Sequence, residues 1–280
     1  MLPPILKNKN GGIEGGGTAD GGRVMVDILA IALIGWLGGV LVNYLSDILP
    51  ARRRLTVPVC VHCDTSQPVW NYLLWPRRCS ECQRRRPWRV WVVELVSIGA
   101  SVWLWSSPPE RLGYFWGMVL LLYFGVVMVI DLEHRLILHP VSLAGAVLGL
   151  GVGIGLHGVW QTLAGGAVGF VVMLGLYYLG ELFARGVARV RGEVLDEVAL
   201  GFGDVNLAGV LGLILGWPGI VGCLLLAVIL GGLFSLLFII GLLVVRRYRA
   251  FIAIPYGPFL VASAVALLFF KDQVLNILIQ

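Results

Sequence analysis

The sequence predicts an all-α, multi-spanning membrane protein with about eight transmembrane helices and one small cysteine-rich loop domain. Three observations carry that prediction. Hydrophobic residues make up 58% of the 280 residues and charged residues 13%, too few charges to cover a soluble domain of this length. The apolar residues fall in long uninterrupted blocks, as lipid-spanning helices require. The arginines gather at the ends of those blocks. The net charge of +5 therefore reads as membrane orientation and not as nucleic-acid binding.

Residues 1–23 are polar and glycine-rich and lack the basic-then-apolar layout of a signal peptide, so a disordered tail is expected there. The first span starts near Val24, acts as an uncleaved anchor and ends by about residue 49. Residues 50–88 are the one sizeable segment outside the membrane. Residues 89–271 supply seven further spans, at roughly 89–106, 112–130, 138–157, 160–183, 203–217, 218–245 and 251–271, and 272–280 form a tail. The sixth span is short, and Trp217-Pro218-Gly219 separates it from the seventh by turn chemistry. Glycines such as Gly153, Gly165, Gly166 and Gly169 let the fourth and fifth spans approach other helices closely.

With eight spans, the connections 1–2, 3–4, 5–6 and 7–8 share one side and hold sixteen of the 21 Lys and Arg residues. The positive-inside rule makes that side cytoplasmic, with both termini outside.

Two acidic residues stand out by position. Asp131 closes the third span and Asp204 opens the sixth, which places both at the cytoplasmic boundary. An ionisable group at such depth is a functional candidate. Two carboxylates brought together cannot both ionise easily, so one keeps a proton and donates a hydrogen bond while the other acts as a base. Gly201 and Gly203, without a Cβ, would let an extended substrate backbone approach Asp204. Glu133 and Glu94 are the next carboxylates to consider. His134 and His139 neighbour Asp131, but no histidine is expected to be catalytic.

Cys60-Val-His-Cys63 and Cys79-Ser-Glu-Cys82 are two Cys-x-x-Cys pairs separated by fifteen residues, a spacing that suits a structural zinc site with four cysteine ligands. A reducing cytoplasm favours metal over disulfides there. His62 reads as a solvated loop residue and Cys223 as a small buried apolar one. Arg77, Arg78, Arg84, Arg85, Arg86 and Arg89 are expected to meet anionic lipid headgroups.

Several stretches resemble one family. Gly201-Phe202-Gly203-Asp204 matches the Gly-x-Gly-Asp motif of intramembrane aspartyl proteases. Asp131 before Ile137, Ile254-Pro255-Tyr256-Gly257-Pro258-Phe259-Leu260, Arg86-Pro87 before Val93-Glu94-Leu95, Gly38 to Pro50 with Asn43, and the cysteine pairs are similar to the type IV prepilin peptidase (leader peptidase) family. The likeness covers about residues 35–270. Leu138 follows Ile137 where the family often has proline; here the proline is Pro140.

The resemblance implies that 89–271 is a membrane peptidase domain with Asp131 and Asp204 as the catalytic pair. The implied substrate is a prepilin or prepilin-like protein, cut just after a glycine at the cytoplasmic face of a prokaryotic inner membrane. It leaves open methylation of the new amino terminus with S-adenosylmethionine, the substrate's identity and the oligomeric state. A transporter or channel using both aspartates as ion or proton ligands is the main alternative, and it predicts carboxylates near the bilayer midplane. An assembly factor that docks through the cysteine loop and a preflagellin-type Gly-x-Gly-Asp protease are the others.

Overall fold

A helix stands at each of the eight expected span positions. The computed structural model describes residues 17–60, 62–73, 77–191, 201–244 and 255–270. Its helices are α1 (Gly17–Arg52), α2 (Val69–Leu73), α3 (Arg89–Ser106), α4 (Gly113–His134), α5 (His139–His157), α6 (Val159–Arg191), α7 (Phe202–Leu215), α8 (Gly219–Val244) and α9 (Gly257–Phe269). Residues 1–16 and 272–280 of the expected tails, and Arg246, Arg247, Arg249 and Lys271, lie outside the described residues. The expected disordered stretch 1–23 needs correction at its end, because α1 begins at Gly17. Once an apolar span has nucleated a helix, each added turn costs little.

Among the described residues, five helical segments are long and apolar enough to cross a membrane: Met25–Arg52, Gly113–His134, His139–His157, Val159–Gly186 and Gly219–Val244. The helix at the sixth position is short, as expected, with 14 residues in α7, and the one at the eighth is shorter than expected, with 13 in α9. At 1.5 Å per residue each spans about 20 Å, against about 30 Å of hydrocarbon. The shortness of α7 goes with its position. Val205, Leu207, Ala208, Leu211 and Ile214 are all fully enclosed by neighbouring helices, so this helix need not match the lipid thickness. On α8, by contrast, Leu225, Val228, Ile229, Leu233 and Leu237 point outward, as a lipid-facing stripe does.

The helices form two groups. α1, α3 and α4 pack together, and α7 packs against α5, α6, α8 and α9. α9 also touches α4 and so joins the groups. Local chemistry sets the helix ends at that junction. Arg135 takes a left-handed conformation (φ 51°) and returns its N–H to Asp131 O at 2.9 Å, which stops α4. Pro140 sits in the first turn of α5, where its missing N–H is not needed. Gly216, at φ 65°, closes α7 with its N–H on Gly212 O at 2.9 Å, and Trp217 N–H reaches Gln161 O.

Helices α6 and α7 meet glycine on glycine. A Cβ on Gly212 would lie 2.2 Å from Gly165 O, and one on Gly165 2.4 Å from Gly212 O. The α6 and α7 backbones touch because neither residue has a side chain. Gly212→Ala should therefore destabilise the protein by about 1–3 kcal/mol. Gly175→Ala, whose Cβ meets nothing within 4 Å, should not. Thermal unfolding in detergent micelles would check this pair.

Candidate active site and metal centre

The two expected aspartates meet at the junction of the helix groups. Asp131 lies in the last turn of α4 and is 4% exposed; Asp204 lies in the first turn of α7 and is 8% exposed. Gly201 precedes α7 in an extended conformation. Its N–H donates to Asp204 Oδ2 at 3.3 Å, while its carbonyl accepts from Asp204 N–H at 3.0 Å. A carboxylate in that first turn also faces the positive end of the helix.

Gly257, the first residue of α9, lies between the two carboxyl groups. A Cβ at Gly257 would lie 2.3 Å from Asp131 Oδ2 and 3.5 Å from Asp204 Oδ1. The two oxygens are therefore separated by no more than the sum of those distances. Asp131 Oδ2 is buried without a hydrogen-bond partner among the described residues. A buried orphan acceptor is costly. A proton on Asp204, or a water shared by both groups, would satisfy it. Asp131, Asp204 and Gly257 thus form a paired-carboxylate centre at the rim of the bundle. Both carboxyl groups sit at helix ends, not at mid-helix as the transporter reading expects.

The other candidates separate by contact. Gly203 does not face open space: a Cβ there would lie 2.8 Å from Ile137 Cβ, so packing against the α4–α5 connection accounts for that glycine. Gly201 is open, with Asp204 Oδ2 at 3.6 Å from its Cβ position. Glu133 is paired with Arg89. Glu94 is buried against Arg77 at 3.0 Å and accepts from Trp36 Nε1 at 3.1 Å. His134 and His139 are exposed. Sequence reasoning had the motif around Gly257 but not its place against both carboxylates, since spacing does not show which helix start closes the site.

The four expected cysteines also converge. The sulfurs of Cys60, Cys63, Cys79 and Cys82 lie within 4.8 Å of one another and could hold a metal ion. Cys60 Sγ is 3.6 Å from Cys82 Sγ, and Cys63 Sγ 3.4 Å from Cys79 Sγ. The backbone is built twice over. Each Cys-x-x-Cys is followed by a residue in the left-handed region, Asp64 (φ 58°) and Gln83 (φ 54°). Each is flanked by one antiparallel bridge, Val59 with Ser66 and Arg78 with Arg85. Each then reaches a proline and a helix, Pro68 before α2 and Pro87 before α3. This repeat is visible in the sequence as a constant offset, which cysteine spacing alone does not bring out.

Cys63 and Cys79 accept hydrogen bonds that suit a thiolate. A hydrogen bond from the Thr65 hydroxyl lowers the Cys63 thiol to about 6, and Gln67 Nε2 donates to Cys79 Sγ at 2.9 Å. Such donors favour the thiolate that binds metal.

Three of the arginines expected at lipid headgroups are inside the protein instead. Arg77 is buried against Glu94 and lies 4.6 Å from the Trp91 ring centroid. Arg86 and Arg89 both pair with Asp47 of α1. Tyr72 of α2 donates to the same carboxylate at 2.9 Å, with Arg86 stacked 3.7 Å from its ring centroid. The acidic partners lie far off in sequence, so a basic cluster beside a span looks the same whether it meets lipid or protein.

The fold and site define a multi-pass helical membrane protein with a paired-carboxylate centre and a four-thiol module at one end. Residues 118–236, which include both aspartates, match the model of the type IV leader peptidase family. Over that stretch the chain is similar to the type IV leader peptidase family. It is 28% identical over 231 residues to the prepilin leader peptidase/N-methyltransferase of Stutzerimonas stutzeri, covering 77% of this chain and 72% of the relative. It is 28% identical over 237 residues to the protein of that name from Burkholderia pseudomallei strain 1026b, covering 80% and 71%. Against that of Aeromonas hydrophila the figures are 29% over 232 residues, 77% and 73%. No solved structure matches.

The sulfur cluster predicts about one thiolate-bound metal ion per chain. Elemental analysis of the pure protein should find it, and Cys79→Ser should lose it. Metal-free protein that is folded, with all four thiols freely alkylated, would contradict the site.

Proposed function

We propose that this protein is a membrane aspartyl endopeptidase that removes the leader of type IV prepilin-like proteins at the cytoplasmic face of a prokaryotic inner membrane. The convergence of Asp131 and Asp204 on Gly257 carries this reading. The family match and the names of the relatives support the substrate class.

In the proposed mechanism a water lies between the two carboxyl groups, one neutral and one anionic. The carboxylate takes a proton from the water as its oxygen attacks the scissile carbonyl carbon. The protonated partner donates to the carbonyl oxygen as negative charge develops there. The tetrahedral intermediate collapses with transfer of a proton to the leaving amine. The C–N bond breaks, and the two carboxyl groups again share one proton. Gly257 has the role of a floor: without a Cβ it lets Asp131 Oδ2 stay where Asp204 can reach it.

The arginine distribution supports a cytoplasmic site. Arg89 binds Glu133 next to Asp131, so the cysteine module and the carboxylates share one end of the molecule. The metal assigned to the module is zinc. The sulfur separations near 3.5 Å approach the edge of about 3.8 Å expected for a tetrahedron with 2.3 Å Zn–S bonds. Four thiolates leave no open position, so its contribution is structural: it fixes the two halves of the loop to each other. N-methylation of the new amino terminus from S-adenosylmethionine enters the proposal through the relatives' names, and no residue here is assigned to the methyl donor.

The test incubates purified protein with a prepilin-like peptide and reads the products by mass spectrometry. Asp131→Asn and Asp204→Asn should each lower cleavage by at least about 10²–10⁴-fold in a folded protein. The double variant should be scarcely worse, because the pair acts as a unit. Gly257→Ala should lose roughly 10²-fold by displacing Asp131 about 1 Å. Near-normal cleavage by either Asn variant would remove that residue from the pair.

A further inference from the structure

We propose that Arg89 is a positioning residue, which ties the metal module to the last turn of α4 and so holds Asp131 in reach of Asp204. The inference rests on the peptidase reading for its effect on rate, and on geometry for the tie itself. Arg89 is the first residue of α3, two positions beyond the proline that ends the second cysteine half. Its guanidinium joins two carboxylates from two other helices, Asp47 of α1 and Glu133 of α4. Arg is suited to this because its fork of donors has a fixed geometry.

The last turn of α4 needs such a tie. It carries Asp131 and Glu133 at the negative end of a helix, where acidic side chains are disfavoured. Leu132, Glu133 and His134 are exposed, so packing does not hold this turn. Arg89 supplies a cation to it from within the protein, with only 15% of its own side chain exposed. On its other side the tie runs to the module. Asp47 also binds Arg86 and the Tyr72 hydroxyl, and Arg86 N–H bonds to Arg77 O inside the second cysteine half. Order imposed by four thiolates on one metal ion is thereby passed through Asp47 and Arg89 to Glu133, two residues from Asp131.

Glu133→Gln cuts this link at its exposed end and should leave the thermal unfolding midpoint close to that of wild type. In the full-length protein in nanodiscs it should lower kcat for peptide cleavage roughly 10-fold at an unchanged KM. Removing the metal from wild type with a chelator should lower kcat by a similar factor. Applied to Glu133→Gln, the chelator should add less than about twofold, because both act through one connection. Amide hydrogen exchange at residues 131–135 should rise with either treatment, and little further with both. Independent, multiplying losses in kcat, or a wild-type rate and exchange pattern in Glu133→Gln, would overturn the proposal. If the wild-type protein cut no prepilin-like peptide, the peptidase reading would fall and exchange alone would decide: non-additive loosening of 131–135 upholds the tie, and unchanged exchange overturns it.

Discussion

Keeping Asp131 and Asp204 close together, away from bulk water, is the constraint around which the helices are arranged. Two like charges 4 Å apart near a protein surface repel by about 4 kcal/mol, so such a pair relaxes apart unless its supports are rigid or it shares a proton. The two groups come from different halves of the bundle, and each has its own support. Asp204 is fixed by the N–H of Gly201 at the start of a largely buried helix. That helix is fixed in turn by the contact of Gly165 with Gly212. Asp131 ends α4, and the α9 backbone at Gly257 meets it from the other group.

The charged residues beside the cysteine module obey the same logic. A buried ion pair brings little net stability, but breaking one leaves an unpaired charge at a cost of about 3–5 kcal/mol. Arg77 with Glu94, and Asp47 with Arg86 and Arg89, therefore specify one arrangement of the module on α1 and α3 more than they strengthen it. Asn43, whose side-chain amide donates to Val90 O at 3.1 Å, fixes the same helix pair. The module is thus continuous with the membrane helices, and a metal ion held by its thiols would bear on their ends.

Much of this was legible in the sequence, for identifiable reasons. The eight helices follow from apolar block length, and the break between α7 and α8 from Trp217-Pro218-Gly219. The two aspartates stood out because carboxylates are rare at span ends, and the cysteines because their spacing is short and regular. What stayed hidden depends on contacts between distant segments. Gly257 looks like any helix-start glycine until α4 and α7 are placed beside it. Gly203 read as room for a substrate, but Ile137 fills the room. Arg77, Arg86 and Arg89 read as lipid contacts because Glu94, Asp47 and Glu133 are assigned to them only by the fold. The length of α9 was overestimated because apolar runs do not distinguish a helix in lipid from one buried among helices.

The central claim is that Asp131 and Asp204 act together on one peptide bond. Its most direct test is a structure of the protein with a prepilin-like peptide whose scissile bond is replaced by a hydroxyethylene group, a mimic of the tetrahedral intermediate. The hydroxyl is expected within hydrogen-bond distance of both carboxyl groups, above Gly257. A peptide bound with its hydroxyl away from either aspartate, in an otherwise native protein, would contradict the claim.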